Sequence, residues 1–251
     1  MTKATILNTR PLALQSGTNE AFTQYGFNTI NLPCIEIALV DNPTSIVKQL
    51  SAIKPDDCII FTSQHAVRYA FKIHTKFSLP HSALVITVGS KTAHVLEQYY
   101  DGHIWTPGQQ NSEGVIDLLK GFAKLKNIKL ISAENGREAM QTYASNNAIG
   151  FQQINVYKRQ LPSIDHKTFQ LIKKTKPLII LATSETTLIH LKILLKDVWS
   201  DLLNQKILCV SARIQEIAKS LGFKKSYNMQ TANPILMAEK LNTIMHGSLS
   251  T

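Results

Sequence analysis

Two short stretches hold the residue types with which this chain could do chemistry. Residues 59–67 read IIFTSQHAV and residues 180–188 read ILATSETTL. In each, an apolar run stops at a Thr-Ser pair, Thr62-Ser63 or Thr183-Ser184, and residues able to open a helix follow. A hydroxyl at such a junction caps the helix by accepting from a free backbone N–H. The remaining N–H groups, with their partial positive charge, form a place for a carboxylate or phosphate. Capping alone explains most such residues, so the ligand reading rests on there being two copies, one in each half of the chain. Stronger catalytic devices are missing. No G-x-G-x-x-G follows an apolar run, and VGSKTAHV (88–95) lacks the spacing and the Gly-Lys order of a phosphate loop. The eight histidines form no i, i+4 helical pair and no cluster with cysteine, and there is no G-x-S-x-G elbow. These absences disfavour nucleotide binding, a metal centre and a hydrolase nucleophile. An enzyme built from this chain works by positioning, by backbone donors and by at most one acid.

The elements that must hold these junctions are legible from the pattern. Short apolar runs rich in β-formers alternate with amphipathic stretches: ATILNT then 11–25, TINLPCIEI then 43–53, CIIFTS then 64–76, ALVITVG then 90–100. Such alternation predicts an α/β fold with largely parallel sheets. CIIF and LIIL, apolar at every position, are expected as central strands covered on both faces. The second half of the chain also repeats the first. Thr62-Ser63 matches Thr183-Ser184 at an offset of 121, VGSKTAHVL (88–96) matches VSARIQEIA (210–218) at 122, and YGFNTINLPCIEI (25–37) matches IGFQQINVYKRQL (149–161) at 124. The last match places Gly26 over Gly150 and Ile30 over Ile154. Three matches in one order at nearly constant offset indicate a duplicated set of βα units. In open parallel sheets the ligand crevice lies beyond the carboxyl ends of the strands, where both Thr-Ser pairs fall.

Bulk properties narrow the functional classes. At 251 residues with 44% hydrophobic content the chain can form one large or two ordinary domains with real cores. No apolar stretch approaches the roughly 20 residues that cross a bilayer, and MTKATILNTRP lacks a secretion-type apolar segment, so a cytoplasmic protein without membrane association is expected. Cys34, Cys58 and Cys209 are far apart and odd in number, as for reduced core thiols. The formal net charge is +10, from 27 Lys and Arg against 17 Asp and Glu, which attracts anions. The lysines sit in scattered pairs without aromatic interleaving, so a nucleic-acid partner is not expected, and a polycarboxylate or phosphate ligand fits the charge.

The segments ILNTRP, LPCIEI, FTSQHAV, VGSKTA, GREAM (136–140) and VYKR (156–159) occur in the order and spacing of the uroporphyrinogen-III synthase family, which the chain resembles over nearly its whole length. The resemblance implies two similar α/β domains with parallel sheets flanked by helices, joined by a two-stranded connection made by LPCIEI and NVYKRQL. Residues 1–37 together with 160–251 would form the first domain and 38–159 the second. The reaction implied needs no cofactor and no metal. Hydroxymethylbilane, a linear tetrapyrrole polycarboxylate, loses its hydroxyl as water, the terminal ring inverts through a spiro intermediate, and the ring closes as uroporphyrinogen III. A monomer is implied, with transient contact with the preceding pathway enzyme.

The resemblance makes Tyr157 the candidate acid. Period-2 alternation places it on a polar face with Asn155 and Arg159. A phenol is a weak acid at neutral pH, so an assisting role is expected. Substrate contacts are implied for Arg10, Thr62, Ser63, Lys91, Thr92, Gly136, Arg137, Thr183, Ser184, Ser211 and Arg213. The chain departs from the family in two places: Ile214 stands where threonine is common, and Ser132-Ala133 where bacterial relatives often show Arg-Gly. The alternative from another class is a non-catalytic two-lobed module that closes on an anion.

Overall fold

The two runs that are apolar at every position become inner strands of two separate sheets. The computed structural model describes residues 4–123, 125–134 and 138–245. In chain order the elements are β1 (Thr5–Asn8), α1 (Gln15–Gln24), β2 (Asn28–Asn31), β3 (Glu36–Leu39), α2 (Pro43–Ser51), β4 (Asp57–Phe61), α3 (Gln64–Ile73), β5 (Leu84–Thr87), α4 (Ser90–Leu96), β6 (Ile104–Trp105), α5 (Ser112–Leu119), β7 (Asn127–Ala133), α6 (Ala139–Asn146), β8 (Gly150–Gln160), α7 (His166–Lys174), β9 (Leu178–Ala182), α8 (Glu185–Leu194), α9 (Trp199–Leu202), β10 (Lys206–Cys209), α10 (Ala212–Ser220), β11 (Lys225–Asn228) and α11 (Pro234–Met245). One sheet has the order β11-β10-β9-β1-β2 and the other β3-β8-β7-β4-β5-β6. Every residue of β4 and of β9 is buried, which is why neither alternates.

The chain divides into two compact units, Met1–Glu36 with Gln160–Thr251, and Ile37–Arg159. It passes from one to the other beside β3 and β8, which are neighbours in the second sheet. TINLPCIEI is therefore not one strand. Its first part ends as β2 in one sheet and its last part begins β3 in the other, broken at Pro33, which has no N–H to give a ladder.

Each sheet is covered on both faces. In the second unit Ile59 and Phe61 pack against Leu50, Val67 and Leu96, while Cys58 and Ile60 pack against Val115, Leu119 and Met140. In the first, Leu7 and Ile180 meet Leu188, Leu191 and Ile214, while Ile6 and Ile179 meet Phe22, Met237 and Leu241. Cys34, Cys58 and Cys209 are buried and free, and burial pushes each thiol up to about 12. No helix among the described residues is long and apolar enough to cross a membrane.

The strand registers confirm the internal repeat and correct one of its alignments. β4 lies between β7 and β5 as β9 lies between β1 and β10, with Ile60 opposite Leu130 and Leu181 opposite Asn8. Following the ladder outward, Lys129 pairs with Gln152 and Leu7 with Ile30. Ile30 therefore corresponds to Gln152, not Ile154, and Gly26 to Ala148, not Gly150. The backbone agrees: Gly26 has φ 79° and Ala148 φ 54°. Both close a helix in the left-handed region before an edge-ward strand. Matching glycine to glycine misplaces the repeat by two residues because the second copy makes this turn with alanine. The copies are also circularly permuted, since β1-α1-β2 comes first in the chain whereas its counterpart β7-α6-β8 comes last.

Candidate functional site

The carboxyl ends of the parallel strands in the second unit carry a polar pocket. β4 runs into Thr62-Ser63, and Ser63 takes an extended conformation that caps α3, its Oγ accepting from the Ala66 N–H at 3.1 Å. Thr62 donates from its Oγ1 to the Ile131 carbonyl at 3.3 Å. Across the pocket Asn111 caps α5, its Oδ1 accepting from the Gly114 N–H at 2.8 Å. Two helices of at least two turns thus open on one pocket of about 370 Å³, with Ile60, Leu130 and Met140 as its apolar floor. Arg159 and Ser132 line it as well, and among the described residues no carboxylate does. The partial positive charges of two helix ends and one guanidinium therefore face the pocket with no carboxylate in its described lining, an arrangement that stabilises an anion.

Tyr157 borders this pocket, but not as alternation predicts. β8 pairs with β7 as Ser132 with Asn155 and then Ala133 with Tyr157, so Val156 is an extra residue in a β-bulge. The bulge resets the period. Tyr157 leaves the face of Asn155 and joins Ile154 and Val156 in the core, where it is 1% exposed. Its ring lies 5.7 Å from that of His65 and 5.8 Å from that of Tyr69, with the Arg159 guanidinium 6.0 Å from its centroid. Its hydroxyl is 3.0 Å from Ser63 Oγ. Burial, with smaller contributions from the charges of Arg68 and Arg159, lowers the His65 pKa, which favours the neutral imidazole.

The first unit repeats the edge with other side chains. Ser184 caps α8 by accepting from the Thr187 N–H at 3.1 Å, and Ser211 caps α10 by accepting from Ile214 N–H at 3.4 Å. Thr183 follows β9 beside Ser184, half-buried. Arg10 follows β1, bonding Thr18 Oγ1 at 3.2 Å and the Ala232 carbonyl at 2.9 Å, while its buried Nε has no partner. Burial lowers its pKa. Arg10, Thr183, Ser184 and Ser211 thus share the carboxyl edge of adjacent strands.

The remaining expected contacts are placed differently. Arg213 is exposed and ion-paired with Glu185 at 3.0 Å. Thr92 is 6% exposed and absent from the pocket lining, whereas the exposed Lys91 lies over a shallow depression with Gln64 and Arg68. Gly136 and Arg137 lie outside the described residues. Ile214, standing where the family often has threonine, is 2% exposed within the core. Sequence reasoning missed Asn111, Ser112 and Arg159 as pocket residues. The run Asn111-Ser112-Glu113 is a helix start with an acid in the first turn, a signal that was readable.

The sequence model of the family described as uroporphyrinogen-III synthase HemD matches residues 16–234. Among solved structures, the uroporphyrinogen-III synthetase of Helicobacter pylori is similar at 14% identity and a TM-score of 0.61, covering 97% of this chain and all of that one, 100%. A mutant uroporphyrinogen III synthase from the extremely thermophilic bacterium Thermus thermophilus is similar at 15% identity and a TM-score of 0.58, with 97% and 99% covered. These two likenesses bear on the fold. A comparison with the curated proteins finds no match.

Proposed function

We propose, for a chain that belongs to the uroporphyrinogen-III synthase family and works in tetrapyrrole biosynthesis, a hydro-lyase acting on hydroxymethylbilane. The substrate is a linear tetrapyrrole bearing acetate and propionate arms. Loss of its hydroxyl as water leaves an electrophilic azafulvene, and closure at the inverted terminal ring gives the type III isomer. Spontaneous closure gives the type I isomer, so the protein's task is to hold geometry while a reactive intermediate exists.

The observation that carries this reading is the pocket of the second unit. There a phenol–serine pair sits at the N-terminus of α3, in a pocket that the N-terminus of α5 also borders, with no carboxylate among the described lining residues. Amides at the starts of α3 and α5, together with Arg159, hold carboxylate arms. The Tyr157–Ser63 pair assists departure of the hydroxyl. In the first unit Arg10, Thr183, Ser184 and Ser211 offer a guanidinium, hydroxyls and helix-end amides to further arms. Incubating the protein with freshly made hydroxymethylbilane and resolving the type I and type III isomers tests the reading. Type III product in excess is expected; only type I at the spontaneous rate would refute it.

A further inference from the structure

We infer that Ser63 is the catalytic residue that delivers the proton to the departing hydroxyl, and that Tyr157 acts through it as the proton's source. The inference rests on the reading above, in which this pocket takes the substrate and Tyr157 assists water loss.

Two observations carry it. First, Tyr157 is 1% exposed, so its hydroxyl has almost no surface to offer a ligand, whereas Ser63 is only part-buried and lines the same pocket. Second, the bonding capacity of Ser63 Oγ is nearly used up by neighbours that fix its direction. A serine hydroxyl accepts twice and donates once. One lone pair takes the Ala66 N–H at 3.1 Å; the Tyr157 hydroxyl stands 3.0 Å away, where either hydroxyl can donate, and in the proposed relay Tyr157 donates to the second lone pair. With Tyr157 as donor, the capacity left is the Ser63 proton, on the group that borders the pocket. Thr62 is no substitute, because its proton goes to the Ile131 carbonyl.

The step balances. As the C–O bond of the substrate breaks, its electron pair stays with oxygen, which takes the Ser63 proton and leaves as water. Ser63 takes the Tyr157 proton along their hydrogen bond. The tyrosinate then accepts a charge-assisted bond from the re-formed Ser63 O–H, beside the positive end of α3 and the Arg159 guanidinium. Because the proton comes from the relay, the azafulvene is left in its protonated form, an azafulvenium. When the macrocycle closes, the attacked pyrrole carbon gives up its proton, and the reverse relay restores the phenol.

The test compares Ser63→Gly, Ser63→Thr, Tyr157→Phe and the double variant Ser63→Gly/Tyr157→Phe, by steady-state turnover of hydroxymethylbilane. Glycine is tolerated at a helix N-cap nearly as well as serine, so Ser63→Gly removes the hydroxyl without unfolding α3. We expect its kcat to fall about ten- to a hundredfold, the weight of a hydrogen bond to a charged group, with KM little changed. Ser63→Thr, which keeps the hydroxyl, restores kcat. In the Ser63→Gly background Tyr157→Phe costs nothing further. In mixtures of H₂O and D₂O the wild-type rate bends with deuterium fraction, as for two protons in flight, and this curvature is lost in Ser63→Gly. Losses that multiply in the double variant, or a Ser63→Gly effect confined to KM, would overturn the relay. An impaired Tyr157→Phe beside an unimpaired Ser63→Gly would sink the relay alone, whereas full turnover in Tyr157→Phe would overturn the acid role itself.

Discussion

Tyr157→Phe deletes one oxygen and leaves a ring that is 1% exposed in its place among His65, Tyr69 and the bulged strand. The structural loss is one hydroxyl–hydroxyl bond of 3.0 Å, and its partner Ser63 keeps the Ala66 N–H. A bond of this kind contributes about 0.5–1.5 kcal/mol, which lowers the melting temperature of a chain of this size by a few degrees, on the order of 2–4 °C per kcal/mol. Tyr157→Ala is the wrong probe, because emptying so buried a site costs about 3–5 kcal/mol and confounds chemistry with folding. General acid assistance contributes about 10²- to 10⁴-fold. A phenol is poorly matched to neutral pH, so the expected fall in turnover is about 100-fold or less. The product remains the type III isomer, since the choice of isomer follows from how the carboxylate arms are held. The assay is turnover of freshly prepared hydroxymethylbilane with the two isomers resolved, beside a thermal melt. Unchanged turnover at an unchanged melting temperature would refute the acid role, and a shift towards type I would make Tyr157 a positioning residue.

Gly114→Ala places a Cβ 1.9 Å from the Gln109 carbonyl oxygen, so the loop that caps α5 must move; a loss of about 1–3 kcal/mol is expected from the urea midpoint, with weakened substrate binding. Gly17→Ala, where the added Cβ meets nothing within 4 Å, is the control and stabilises α1 by about 0.5–1 kcal/mol. The lowered pKa of His65 means that the unfolded chain takes up this proton first as pH falls. Its contribution to stability is therefore full above the unfolded value and is lost as pH drops through that value towards the folded one. Melting temperatures between about pH 7.5 and 5.5 should fall less steeply in His65→Gln than in wild type; equal slopes would remove His65 from the account. Added salt should weaken substrate binding, because exposed charges are screened over about 10 Å at 0.1 M. Affinity indifferent to salt would exclude the basic surface from recognition.

What could be read from the sequence was whatever the local pattern determines. Continuous apolar runs marked β4 and β9 as inner strands, and Thr-Ser pairs after them marked helix caps, because burial on both faces and an unpaired N–H each leave a direct trace in residue type. The bulge at Val156 left none. It has no glycine, and its neighbours Ile154 and Tyr157 suit a regular strand equally well, so only the register with β7 shows that the alternation breaks. The same holds for Ala148, whose positive φ is imposed by the helix that ends before it. Asn111 was missed for another reason: its cap is ordinary, and only the sheet order brings α5 beside the pocket that α3 also faces.

The repeat also gives a physical reason for the proposal that chemistry falls to one unit although both are built alike. With Leu130 equivalent to Asn8, the residue after β1 that matches Ser132 is Arg10. One edge thus carries a guanidinium where the other carries a small hydroxyl, which leaves space for the pocket. One strand further out, Tyr157 faces Ala133 across the bulge, whereas the first unit runs at that level into Pro33-Cys34, with the Cys34 N–H bonded to the Thr9 carbonyl at 3.1 Å. Among the described residues a phenol reaches a capping serine only in the second unit, where an extended and bulged β8 continues past the end of its neighbour. Ser184, the counterpart of Ser63, donates to or accepts from Thr187 Oγ1 at 2.8 Å instead, a closed local pair with no acid behind it. Ser184→Gly should therefore affect affinity for the polycarboxylate and leave kcat nearly unchanged, the reverse of Ser63→Gly. A comparable loss of kcat in both variants would show that the two edges share the chemistry and would undo the division of labour drawn from Tyr157.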